Sequence, residues 1–294
     1  MALPDPDLRR TWLFGPGADG AAHVEMLKSG ADVLIVDFED STPAQRRHEA
    51  RAGIADLLAR ARAAGIGTSV RINALETEGP ADLAAAMPAR PDVITYPMAK
   101  SAAEMRALHA ALDAWETRLG IPAGTTEILP VCETALGVVE VRAIAGGSPR
   151  IRGALLGTED LAADLCAERQ PDGQELDYAR RRFVLECRAA GIEPIDAPYT
   201  FGDTDGAVRE ARYARRLGYR CKSVVCPEHA QPINAALTPA EEELRRAAAM
   251  IQAFEAARAR GEDRAMVDGL WVEVPTYRNA QRLVARARRL AGKA

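Results

Sequence analysis

The chain alternates short apolar runs with long stretches of helical periodicity, and this rhythm constrains the fold more than any motif within it. The runs are RTWLFGPG (10–17), ADVLIVDFED (31–40), TSVRIN (68–73), DVITYPMA (92–99), TEILPVCET (126–134), IRGALLGTED (151–160), EPIDAP (193–198) and RCKSVVCP (220–227). Runs rich in β-branched residues and lacking polar alternation belong to strands buried on both faces, the habit of parallel sheets covered by helices. The segments between them have helix grammar. STPAQRRHEARAGIADLLARARAAG opens on Ser41 and Thr42 as N-cap, places Pro43 in the first turn and closes on Gly65. SAAEMRALHAALDAWETRLG, LDYARRRFVLECRAAG and TDGAVREARYARRLG follow the same plan. Eight such units predict an α/β fold, a (β/α)8 TIM barrel over residues 1–228, with a helical C-terminal extension over 229–294.

Composition narrows the function classes. With 38 basic against 42 acidic residues the net charge is −4, and no Lys/Arg block stands apart from the helices, so nucleic acid is not an expected partner. No apolar stretch is long enough to span a bilayer, and MALPDPDLRR lacks the apolar core of a secretion signal, so neither membrane insertion nor export is expected. The five cysteines are odd in number and lack C-x-x-C spacing, which suits reduced thiols and a cytoplasmic location without disulfides.

One motif points elsewhere. Gly15-Pro16-Gly17-Ala18-Asp19-Gly20 matches the G-x-G-x-x-G dinucleotide fingerprint, with an apolar run before it, a helical run after it and the acids of VDFED about twenty residues on. That fingerprint belongs to an open sheet of about six strands, whereas eight units imply closure, and Pro16 deletes one of the N–H groups an anion cradle needs. The nicotinamide reading is therefore the weaker one. In a barrel Gly15 and Gly17 would line the mouth and meet substrate through their backbone.

The polar residues that end the apolar runs carry more weight, because a barrel enzyme builds its site at the C-terminal ends of its strands. Asp37, Glu39 and Asp40 end the second run, Arg71 and Asn73 the third, Glu133 and Thr134 the fifth, Glu159 and Asp160 the sixth, and Asp196 the seventh. Any one of these acids could be a helix cap or a first-turn charge. Together they converge on one rim. Carboxylates on neighbouring strands without clustered His or Cys suit a hard cation with oxygen ligands, Mg²⁺ before Zn²⁺.

The ordered pieces WLFGPG, VRIN, ILPVCETALGV and GTEDLAADL make the whole chain resemble the citrate lyase β-subunit-like branch of the HpcH/HpaI aldolase superfamily. That resemblance implies a Mg²⁺-dependent barrel lyase that breaks a carbon–carbon bond beside a thioester or keto-acid carbonyl, assembled as a homo-trimer or hexamer. It implies Glu133 and Asp160 as metal ligands, Arg71 facing the developing enolate, Gly157, Thr158 and Glu159 as the turn holding the substrate carboxylate, and Glu39 and Asp40 as the acidic pair of the second strand. Pro97 stands in the pair that many relatives fill with Pro-Lys, here Pro97-Met98. ADGAAH replaces Arg-Pro-Glu-Arg, and Cys226 stands where Ile-His-Pro has its His. The metal side is thus kept while the thioester side is altered.

In the extension, DGLWVEVP resembles the family segment that reaches over the active site of a neighbouring subunit, with Glu273 where the family has Asp. The four histidines, His23, His48, His109 and His229, have no evident partners and are not expected to be catalytic, and Trp12 and Trp271 fit either core or lid. The expected protein is a carbon–carbon lyase acting on a small hydroxy or keto acid, free or as its CoA thioester. A malate-synthase-like condensing transferase and a non-catalytic metal-binding paralogue are the alternatives.

Overall fold

A computed structural model describes residues 3–292. Each expected run holds one strand: β1 (Thr11–Pro16), β2 (Val33–Asp37), β3 (Gly67–Arg71), β4 (Val93–Tyr96), β5 (Glu127–Cys132), β6 (Gly153–Leu156), β7 (Glu193–Asp196) and β8 (Cys221–Val224). They pair in parallel in sequence order and close as a barrel, with Thr11 of β1 in register with Lys222 of β8. The chain divides into one compact unit up to Ala235 and a second from Ala236 onward. Residues 229–235 thus go with the barrel. There Asn234 accepts a hydrogen bond from Thr11 Oγ1 at 3.0 Å and donates one to the Gly30 carbonyl at 2.8 Å.

Two apolar layers explain the absence of polar alternation. Trp12, Val33, Ile35, Val93, Leu129, Val131, Leu155 and Ile195 fill the barrel interior. Val36, Val70, Ile94 and Leu156 point outward into a shell shared with Ile54, Leu58, Leu108 and Phe183 of the surrounding helices. Trp12 is therefore core. Its indole N–H reaches the Arg9 carbonyl at 3.1 Å, which satisfies its one polar atom.

The helices keep most of their expected grammar. Ala102–Leu119 starts with a Ser101/Glu104 capping box and ends on Gly120 in the left-handed region. The helix after β2 departs from expectation. It begins at Arg47, behind a short turn at Ala44–Arg46, and Ser41 and Thr42 do not cap it. Thr42 Oγ1 instead donates to the Asp37 carbonyl at 2.6 Å and accepts from Gly17 N–H at 2.8 Å, so a cap-like residue is spent on joining two loops.

The buried strand ends are neutralised in pairs. On the outer side of β7 and β8, Lys222 Nζ donates to Asp196 at 2.7 Å and Glu210 at 2.6 Å, while Arg180 forks the same Asp196 at 2.7 and 2.9 Å. Two cations against two anions leave this buried group uncharged overall, and Asp196 belongs to it.

The second unit holds helices Glu241–Ala259 and Val274–Ala291, with Phe254 and Tyr277 stacked at 4.7 Å. Between them lies an antiparallel hairpin, β9 (Ala265–Val267) and β10 (Leu270–Val272), turning on Asp268-Gly269 with both φ angles positive. The extension is therefore helical except for this hairpin. Trp271 on β10 is half exposed under Arg264, and Glu273 is an exposed residue at the start of the last helix, 4.0 Å from Arg264.

Among the described residues no helix is long and apolar enough to cross a membrane. All five cysteines are free thiols.

Candidate active site

The C-terminal ends of the strands surround a cavity of about 220 Å³. Its floor is apolar, from Phe14, Val131, Leu155, Pro198 and Val225, and its rim is polar, from Asp40, Ser41, Arg71, Glu133, Thr158, Glu159, Asp160 and Thr200. This is below the roughly 300–1,000 Å³ of pockets for drug-sized ligands, so it suits a small ligand.

Arg71, the last residue of β3, is the cation at its centre and is nearly buried. Its Nε and Nη2 fork the Asp37 carboxylate at 2.7 and 2.6 Å. The remaining nitrogen, Nη1, lies 2.8 Å from Glu39 and 3.8 Å from Asp40. Asp37 is the anchor of this arrangement. Burial alone would raise its pKa, but the Arg71 fork and the N–H groups of Glu39 and Ser41 hold it below the ordinary carboxylate value. Sequence reasoning placed Asp37 at a strand end and gave it no role, because nothing local distinguishes an anchor from a cap.

Besides Asp37, the guanidinium has Glu39, Asp40 and Glu133 near it, and Asp160 adds a further negative charge beside Glu39 and Glu133. Burial pushes Glu39 up to about 7, against the pull of Arg71 and with the help of Asp40, Asp37 and Asp160. Glu39 Oε2 is buried and close to Arg71, yet no N–H is aligned on it. Burial likewise pushes Glu133 up to about 7, opposed by the Met98 N–H and Arg71 and assisted by Asp160 and Glu39. Glu133 follows β5, and its Oε1 accepts from the Met98 N–H at 2.8 Å. Asp160 stands exposed in the first turn of helix Glu159–Asp164, directly after β6. Thr158 Oγ1 donates to the Pro198 carbonyl at 3.0 Å, tying the loop after β6 to the loop after β7.

Glu159 accepts from Thr200 at 2.6 Å and from Arg169 at 3.2 Å, and Arg169 lies over Phe201. Thr200, Arg169 and Phe201 carried no sequence signal, since they come from loops that only the fold brings together.

The structure thus gathers Arg71, Glu133, Asp160, Asp40, Gly157, Thr158 and Glu159 around one cavity, with Glu39 beside Arg71. Gly15, Gly17 and Pro97 do not line it. A Cβ on Gly15 would lie 2.3 Å from Met26 Sδ, and one on Gly17 would lie 2.7 Å from Ala50 Cβ, so these glycines allow close packing of the strand end. The Gly17 N–H is already spent on Asp37 O and Thr42 Oγ1. GPGADG therefore spans the end of the first strand of a closed barrel, the loop after it and the start of the next helix, which Asp19 caps. Calorimetric titration with NAD(H) and NADP(H) is expected to give no saturable signal, and micromolar binding would restore the dinucleotide reading. None of the four histidines lines the cavity.

Such a rim at the strand ends of a closed parallel barrel has the layout of an enzyme's active site. A family model described as HpcH/HpaI aldolase/citrate lyase matches residues 10–227, and the chain belongs to that family of carbon–carbon lyases. It is 35% identical over 279 residues to the citrate lyase subunit beta of Leuconostoc mesenteroides subsp. cremoris, covering 94% of this chain and 92% of that protein. It is 31% identical to the L-malyl-CoA/beta-methylmalyl-CoA lyase of Cereibacter sphaeroides, covering 97% and 96%. Among solved structures it resembles the CitE protein of Mycobacterium tuberculosis in complex with magnesium, acetoacetate and coenzyme A. The TM-score there is 0.76 at 27% identity, over 95% of this chain and 98% of that one.

Proposed function

We propose that the chain is a Mg²⁺-dependent lyase that cleaves a small hydroxy acid, free or as its CoA thioester, to an enolate and a carbonyl fragment. The observation that carries the reading is the cavity itself, where Glu133 and Asp160 stand on adjacent strand ends across from one buried guanidinium. The donor set fits a hard dication. Glu133 has one oxygen held by Met98 and, among the described residues, accepts no hydrogen bond on the other, and Asp160 is exposed beside the cavity. Among the described residues no three His, Cys, Asp or Glu side chains group to hold an ion, and Mg²⁺ needs only one or two protein carboxylates beside water and substrate oxygens. When bound there by Glu133 and Asp160, Mg²⁺ would supply Lewis-acid polarisation of the substrate carbonyl.

The chain's own residues do the rest. A carboxylate close to the cavity takes the proton of the substrate hydroxyl as the carbon–carbon bond breaks, and the bonding pair moves onto the neighbouring carbonyl as an enolate. Glu39, pushed up to about 7, is suited to that proton, with Asp40 beside it and Glu273 of a neighbouring subunit as a third candidate. Arg71, its orientation fixed by Asp37, presents Nη1 where the enolate charge develops. The backbone at Gly157, Thr158 and Glu159 seats the carboxylate of the fragment. The malyl-CoA lyase relatives and the CoA complex of CitE support the thioester form. We place the protein in the cytoplasm as a homo-trimer or hexamer in which each extension reaches a neighbour.

Incubating a panel of hydroxy acids and hydroxyacyl-CoA thioesters with and without Mg²⁺, and following products by NMR, tests the reading. Cleavage that requires Mg²⁺ is expected. Net condensation with thioester hydrolysis would make the protein a transferase, and inertness with every substrate would leave a metal-binding paralogue.

A further inference from the structure

Glu133 is gripped from both neighbouring strands by backbone. On the β4 side Met98 has φ +48°, in the left-handed region that a side chain with a Cβ rarely adopts. Among the described residues the other three non-glycine cases likewise lie at turns or helix ends. Arg90 and Cys166 follow helical turns, and Asp268 turns a hairpin. Met98 follows β4 after one intervening residue, as the second residue of the Pro97-Met98 turn, and in that turn its N–H is aimed at Glu133 Oε1, 2.8 Å away. On the β6 side, Gly157 has no positive φ that would demand glycine. A Cβ there would lie 2.4 Å from Glu133 Cβ and 2.7 Å from Oε2. One neighbour pulls on the first carboxylate oxygen, and the other offers a bare Cα against which the second is laid.

We propose that Met98 and Gly157 are positioning residues, which together hold the Glu133 carboxylate in one orientation with Oε2 left open for a divalent cation. The proposal rests on the metal reading above and adds how this chain pre-sets its ligand. Strain is retained at Met98 because the site gains a fixed carboxylate from it, as strained backbone at functional sites generally does. The contribution of Met98 is made through the main chain, so it does not depend on the chemistry of the side chain.

The test is Mn²⁺ binding by electron paramagnetic resonance and Mg²⁺ binding by calorimetry on the full chain, with thermal melting as a check on folding. Wild type is expected to bind one cation. Gly157→Ala should weaken it at least about tenfold, since second-layer changes around metal ligands commonly cost 10–100-fold. Met98→Val, whose branched Cβ resists the left-handed region, should weaken it similarly. Met98→Gly keeps the N–H and tolerates the angle, so it should bind as wild type does. A purely structural role would instead move melting temperature without separating glycine from valine in cation affinity. If wild type binds no cation, the metal reading itself fails. If wild type binds and Gly157→Ala and Met98→Val bind equally well, the positioning role alone is overturned; should one of them not fold, the other decides.

Discussion

Glu133→Gln is expected to lower turnover by at least about 10³-fold while the protein melts at the same temperature or higher. The loss follows from removing a charge proposed to hold the cation, a contribution of several kcal/mol at about 1.4 kcal/mol per factor of ten. The retained stability follows from burial. The carboxylate is pushed up to about 7, so the fold holds this group as an anion at a cost, and an amide keeps the shape and can still accept from the Met98 N–H. Turnover under saturating substrate and a melting curve are the two measurements. Activity within tenfold of wild type would remove Glu133 from the chemistry.

Arg71 is expected to behave in the opposite way, with stability and turnover falling together. Arg71→Ala leaves Asp37 buried without its partner, a change that typically costs about 3–5 kcal/mol when one member of a buried pair is removed. Arg71→Lys keeps the charge but cannot fork Asp37 and reach toward Glu39 at once, so turnover should fall about 10²-fold or more. Urea denaturation and steady-state kinetics on the two variants check this. Near-normal turnover in the lysine variant would reduce Arg71 to the structural partner of Asp37.

Much of this was legible because barrel strands are buried on both faces and write themselves as uninterrupted apolar runs, and because strand ends must change to polar residues where the chain meets the rim. Arg71, Glu133 and Asp160 stood out for that reason and because the family resemblance gave them roles. Asp37 did not, because its role depends on a guanidinium from the next strand, 34 residues on, and on N–H groups of its own loop. Met98 was singled out only as a departure in side chain, and nothing in the sequence tells that its N–H, in the turn after Pro97, meets Glu133. The helix starts at Arg47 and not at Ser41-Thr42 because Thr42 is claimed by a tertiary contact. Gly15 and Gly17 looked like a ligand cradle, yet glycine serves close packing as readily as it serves phosphate, and periodicity cannot tell the two apart.

The closure of β8 onto β1 also bears on how the protein is made. Every other neighbouring pair of strands is linked by a single βα connection, but this seam joins residue 11 to residue 222 and so carries the largest loop-closure entropy in the barrel. A ribosome releases β1 first and β8 last, so the floor of the cavity, which needs Phe14 from one and Val225 after the other, is completed only when nearly the whole unit has emerged. Until then β1 presents an unpaired edge, and the nascent barrel is at its most vulnerable to pairing with other chains.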